Sequence, residues 1–153
     1  MITSFASLKK FVKRKEPKRV ALVAAEDMVL LEAANRAQNE GLVEFCLLGD
    51  ANKIKAMVAN TSASFEIIDS QAPAKDAIRL IHNGEADLLM KGKLSTGDLL
   101  KAILDKKNGL KQGELLNHIA VIESPAYHKL LFVSDGGINL HFDQQTYIHM
   151  TRN

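Results

Sequence analysis

At 153 residues, 46% of them hydrophobic, the chain is long enough for one domain with its own core. Lys and Arg number 20 against 18 Asp and Glu, a balance too even to steer nucleic acid or an acidic polymer. No apolar run could cross a bilayer, and Lys9 and Lys10 interrupt any secretory h-region. The expectation is a cytoplasmic protein with neither nucleic acid nor membrane as partner.

Phe5, Leu8, Phe11 and Val12 stand at helical spacing beside Lys9, Lys10, Lys13, Arg14, Lys15, Lys18 and Arg19. Residues 1–18 therefore read as an amphipathic helix and lead-in with a solvated basic face. Residues 19–24 are a buried strand. Residues 28–40 place Leu30, Ala33, Ala34 and Ala37 at i, i+3, i+4 and i+7, and Gly41 is a C′ stop. A second strand, 43–48, contains the single Cys46, which reads as a small buried hydrophobe.

Gly49-Asp50 then leads into a helix at 51–59. A third strand covers 65–68, and the helix at 72–83 turns Ala74, Ala77, Ile78 and Ile81 inward before Gly84. Strand 86–90 precedes a helix at 98–107, which ends at Asn108-Gly109. Residues 119–123 and 130–134 read as two strands joined by a loop containing Pro125. Strand then helix, repeated, predicts a three-layer α/β fold with a mostly parallel sheet flanked by helices. Its strand-to-helix turns share the carboxyl edge, where open α/β sheets bind ligands.

Residues 90–96 (Met-Lys-Gly-Lys-Leu-Ser-Thr) form the turn richest in chemistry. Gly92 permits close backbone approach, and Ser95 with Asp98 makes a Ser-x-x-Asp cap. The helix that starts here aims free N–H groups and a positive dipole end at the sheet mouth. Lys91 and Lys93 add charge, while Ser95 and Thr96 add hydroxyl donors. These are the parts of a phosphate cradle, with a plain helix cap as the alternative.

The turn is not a Walker A loop, because no first Gly stands at the required distance and Leu94 follows Lys93. Glu26-Asp27 and Ser134-Asp135-Gly136-Gly137 are weaker candidates, the first a helix cap and the second a turn. His82, His118, His128, His141 and His149 lack metal-ligand spacing, and no metal site is expected. No G-x-S-x-G nucleophile elbow is present.

The blocks Ala24-Ala25-Glu26-Asp27, Leu48-Gly49-Asp50 and Ala86-Asp87-Leu88-Leu89-Met90-Lys91-Gly92-Lys93-Leu94-Ser95-Thr96-Gly97-Asp98-Leu99-Leu100 together resemble the phosphate acetyl/butyryltransferases. The likeness is nearer the butyryltransferase branch. It continues through Asp105–Leu110, His118-Ile119-Ala120-Val121 and Leu130–Asn139, so it covers about residues 19–139.

The resemblance implies acyl transfer between coenzyme A and phosphate, with coenzyme A as a substrate and no further cofactor. It also implies one lobe of an isocitrate/isopropylmalate dehydrogenase-like architecture; a lobe without its partner exposes surface, so a homo-oligomer is expected. By the same match, Lys91, Gly92, Ser95 and Thr96 bind phosphate or acyl phosphate, with Lys93 beside them. No catalytic residue can be carried over. The tail at 140–153 leaves the family pattern, and the second lobe is expected to be absent. The chain alone is then expected to be weakly active or inactive, the alternative being a non-catalytic phosphate/CoA-binding or assembly module. A related dehydrogenase or decarboxylase would need an aspartate cluster and a nicotinamide fingerprint, and neither is apparent.

Overall fold

The computed structural model describes every residue except Met1, Gln112, Glu114, residues 140–142 and Asn153. His141 and the start of the divergent tail thus lie outside the described residues. In chain order the elements are α1 (Phe5–Val12), β1 (Lys18–Val23), α2 (Met28–Asn39), β2 (Val43–Gly49), α3 (Ala51–Val58), β3 (Glu66–Asp69), α4 (Pro73–His82), β4 (Leu88–Lys91), α5 (Thr96–Ile103), β5 (Ile119–Ile122), β6 (Leu131–Ser134) and α6 (Gln144–Arg152). They fall into two compact units: Lys15–Leu110, and Met1–Arg14 with Lys111–Asn153. The expected lobe at 19–139 spans parts of both.

Unit Lys15–Leu110 is built on a four-stranded sheet in the order β3-β2-β1-β4. All three pairings are parallel. Alternation along β1 and β2 sorts their side chains to two faces. Val20 and Leu22 of β1 join Phe45 and Leu47 of β2 in a core with Leu31, Ala34 and Ile54, from α2 and α3. Ala21, Val23, Cys46 and Leu48 face the other way, onto Ala77 and Leu80 of α4. Helices thus cover both faces, and the sheet is the middle of three layers.

Local chemistry sets the helix ends. Asp27 accepts from Val29 N and Leu30 N to start α2, which stops at Gly41, in the left-handed region at φ 67°. Pro73 opens α4, where its missing N–H would have no intrahelical partner.

Several expected boundaries shift. The α2 stripe lies one residue on: Leu31 and Ala34 are buried while Ala33 is exposed. Adjacent leucines at 30 and 31 make both phases apolar, so periodicity cannot choose between them. In α4, Leu80 is buried with Ala77 and Ile78, while Ala74 and Ile81 pack at the core margin. The helix expected at 98–107 is α5, Thr96–Ile103. It starts early because Ser95 caps it. Its end comes early because Asp105 Oδ1 accepts from Lys107 N and Asn108 N, folding those residues into a turn.

In the other unit, β5 and β6 pair antiparallel, with Ile119 opposite Ser134 and Ile122 opposite Leu131. The tail contains α6. Asp143 Oδ1 accepts from Thr146 N at 2.7 Å, a cap that starts a helix with no buried residue.

Leu22→Ala removes a fully buried side chain and should cost about 3 kcal/mol. It should appear as a lower urea midpoint at an unchanged slope. Val29→Ala, at a position 76% exposed, should stay within about 0.5 kcal/mol of wild type.

Candidate functional site

The order β3-β2-β1-β4 means that the chain winds outward from β1 to β3 and then returns to the far side of β1. The winding direction reverses between β1 and β4. At such a point the neighbouring strand-to-helix turns diverge, and open α/β sheets characteristically bind ligands there. The turns that flank it are residues 24–27 after β1 and 92–95 after β4.

Two backbone hydrogen bonds tie these turns together. Gly92 N donates to Val23 O at 2.8 Å, and Lys93 N donates to Ala24 O at 2.7 Å. Ala24 adopts the left-handed region, at φ 53°, and a partly buried alanine gives no sequence signal of it. A Cβ on Gly92 would come closer than 3.0 Å to both accepting carbonyls. Gly92 is buried against β1. Its small size therefore serves backbone packing against β1.

The five residues singled out by sequence divide by role. The Lys91 ammonium bends over its own turn and donates to Leu94 O at 3.0 Å and Gly92 O at 3.2 Å. The Ser95 hydroxyl accepts from Asp98 N at 3.0 Å and donates to Asp98 Oδ2 at 2.7 Å. Ser95, followed by Lys101, holds the Asp98 carboxyl below the usual carboxylate range.

Lys93 and Thr96 are exposed. Neither side chain is engaged by another described residue. The Thr96 and Gly97 N–H groups lie in the first turn of α5, where no intrahelical acceptor exists. The arrangement brings together one ammonium, one hydroxyl and two backbone donors. It can hold an anion by charge-assisted hydrogen bonds.

Carboxylates cap α2 and α3 at this edge, while α4 follows Ala72 with no side-chain cap. Asp27 caps α2, and Asp50 accepts from Asn52 N and Lys53 N of α3. Asp69 takes Ala51 N at 3.0 Å. Glu26 Oε1 accepts from Asp50 N at 2.7 Å, so Glu26 braces the β2–α3 turn.

In the second unit, Asp135 is buried and accepts from Ile138 N and Asn139 N. Residues 134–137 are therefore a turn closed on itself. Among the described residues, no group of three or more His, Cys, Asp or Glu is placed to hold a metal ion. No described helix is long and apolar enough to cross a membrane.

The fold defines a parallel, three-layer α/β domain whose topological switch point lies between the turns after β1 and β4. Residues 4–77 match the family described as phosphate acetyl/butaryl transferase. The whole chain is 33% identical over 159 residues to the phosphate butyryltransferase of Clostridium acetobutylicum, aligning with 53% of that protein. It is 36% identical over 132 residues to the phosphate acetyltransferase of Thermotoga maritima, which covers 82% of this chain and 44% of the relative. A branched-chain phosphotransacylase from Enterococcus faecalis shares the fold with TM-score 0.71 and 24% identity, over 89% of this chain and 49% of that one. Over its full length the chain is thus similar to phosphate acetyl/butyryltransferases. It spans about half the length of the curated relatives it matches.

Gly92→Ala should force β4 away from β1 and cost about 1–3 kcal/mol, read by urea unfolding. Because the Asp98 carboxyl titrates low, its contribution to the α5 cap is present above the ordinary carboxylate pKa. That contribution is lost as pH falls through the lower folded value. Carbon-detected NMR titration should place the Asp98 midpoint below 3.8, the ordinary value for this group. Ser95→Ala should raise it.

Proposed function

We propose that this chain supplies one wall of a phosphate acyltransferase site, in which acyl-CoA and phosphate exchange with acyl phosphate and coenzyme A. The observation that carries the reading is the alignment of the entire chain with a phosphate butyryltransferase. The turn after β4 supports it, since its donors suit a phosphoryl group. In this reading the Lys93 ammonium, the Thr96 hydroxyl and the Thr96 and Gly97 N–H groups bind phosphate or the phosphoryl end of acyl phosphate. Lys91, Gly92 and Ser95 shape the turn that presents them.

The coenzyme A thiolate attacks the acyl carbonyl, the carbon–oxygen bond to phosphate breaks, and phosphate leaves with the electron pair. Holding that leaving group among fixed donors favours this direction. Holding inorganic phosphate there favours the reverse. Coenzyme A is a substrate, and the reading requires no further cofactor.

The share of the relatives' length that is covered favours a second reading, in which these residues bind the substrates without turning them over. Self-association belongs to the same proposal, because Ile119 is 56% and Phe132 73% exposed on the β5–β6 ribbon. A cytoplasmic location fits the small soluble substrates.

Calorimetry and a thiol-release assay with butyryl-CoA or acetyl-CoA plus phosphate test both readings. The 153-residue chain should bind phosphate and coenzyme A. It should release thiol at least about a hundredfold more slowly than the Clostridium relative, a deficit of about 2.7 kcal/mol in the barrier. Lys93→Ala should weaken phosphate binding about tenfold. Absence of binding by either substrate contradicts both readings, and turnover equal to the relative's contradicts the second.

A further inference from the structure

Two lysines leave the turn after β4, and their surroundings differ. The Lys91 nitrogen is occupied within the turn, donating to Leu94 O at 3.0 Å and Gly92 O at 3.2 Å. Lys18, Lys53 and Lys101 pair with Asp87, Asp50 and Asp98 at 2.6, 2.9 and 3.5 Å. Lys93 is exposed and its side chain has no partner among the described residues. The Asp98 carboxylate of the same helix start does not hold it, being taken by the Ser95 hydroxyl at 2.7 Å and by Lys101.

The base of the Lys93 side chain is nevertheless fixed. Its backbone N–H donates to Ala24 O at 2.7 Å, so a flexible stem carries an uncommitted amine from a rigid point. In the proposed site, the phosphoryl end of acyl phosphate lies against Lys93, Thr96 and Gly97. A single oxygen separates that phosphorus from the acyl carbonyl carbon. An amine in contact with the phosphoryl oxygens is therefore beside an activated carbonyl, with phosphate already seated as the leaving group.

We propose that Lys93 is a self-acylation site, at which the turn that binds acyl phosphate transfers the acyl group to its own lysine. The proposal rests on the phosphate-binding reading of the turn. The neutral form of the Lys93 amine attacks the acyl carbonyl carbon and a nitrogen–carbon bond forms. The carbon–oxygen bond to phosphate breaks, phosphate leaves with the electron pair, and the proton displaced from nitrogen passes to water. Binding makes the step effectively unimolecular, an advantage that lysines elsewhere on the surface lack.

The product is an uncharged amide. It removes the formal cation from the turn and leaves the Thr96 hydroxyl and the α5 N–H groups in place. Accumulated acyl phosphate thus lowers the affinity of the turn for phosphate, a response built into the binding site.

Incubation of the full chain with acetyl phosphate, followed by peptide mass spectrometry, tests this. Lys55 on α3 and Lys129 before β6 are exposed and serve as references. Lys93 should acetylate at least about tenfold faster than either. Its rate should saturate with acetyl phosphate and drop when inorganic phosphate is added, while the reference rates stay linear and unaffected. Lys91 should react no faster than Lys55. Acetic anhydride, which carries no phosphoryl group, should acetylate Lys93 and Lys55 at comparable rates. By calorimetry, the Lys93-acetylated chain should bind phosphate about tenfold more weakly.

Phosphate binding together with Lys93 reacting no faster than Lys55 would overturn self-acylation and leave the anion turn standing. An equal preference for Lys93 with acetic anhydride would also overturn it, because the lysine would then be reactive without the site. Absence of phosphate binding by calorimetry would remove the role of the turn and the proposal with it.

Discussion

Two backbone hydrogen bonds, Gly92 N to Val23 O and Lys93 N to Ala24 O, hold the ends of β1 and β4 together past the last paired residues of the strands. They require a residue without Cβ at position 92 and a left-handed backbone at Ala24. Each is a local cost, since glycine loses chain entropy on folding and alanine is disfavoured at positive φ. The surrounding sheet offsets them. Val23 and Leu48 are fully buried, and Ala25 N adds a bond to Leu48 O at 3.1 Å. With this junction closed, the α5 N-terminus projects beyond the sheet at the switch point.

The same edge shows how one chain can close some helix ends and leave another open. Asp27, Asp50 and Asp69 spend their carboxylates on backbone N–H groups of α2 and α3. At α5 the cap is a hydroxyl that reaches only the third N–H, and the nearest carboxylate is turned back onto that hydroxyl. The uncommitted donors and the Lys93 charge share this turn, which is the basis for proposing it as the phosphate-binding one.

Much of this was legible in sequence because burial leaves a strong pattern. The runs at 19–24 and 43–48 are apolar on both sides, as strands covered on two faces must be, and Cys46 is fully buried among them. Repeated strand-to-helix order led directly to the parallel sheet. Phase was harder to read: Leu30 and Leu31 are both leucine, and only packing decides that Leu31 faces the core.

Within residues 90–96 the sequence does not distinguish a lysine folded onto its own turn from one facing solvent. Whether a lysine folds onto its own carbonyls or faces solvent depends on three-dimensional turn geometry, and Lys91 and Lys93 differ in this way. The close approach of Gly92 to the Val23 and Ala24 carbonyls likewise has no linear signature. The tail helix was invisible because its cap, not an apolar stripe, starts it.

The central claim is that the turn after β4, rather than any other helix start at this edge, receives the phosphate. Titration of the amide nitrogen–proton spectrum with inorganic phosphate tests it most directly. Saturable shifts concentrated at Lys93, Thr96 and Gly97, with residues 27–30 and 50–53 unmoved, are the predicted result. Shifts spread across all the helix starts, or centred on α2 or α3, would contradict the account.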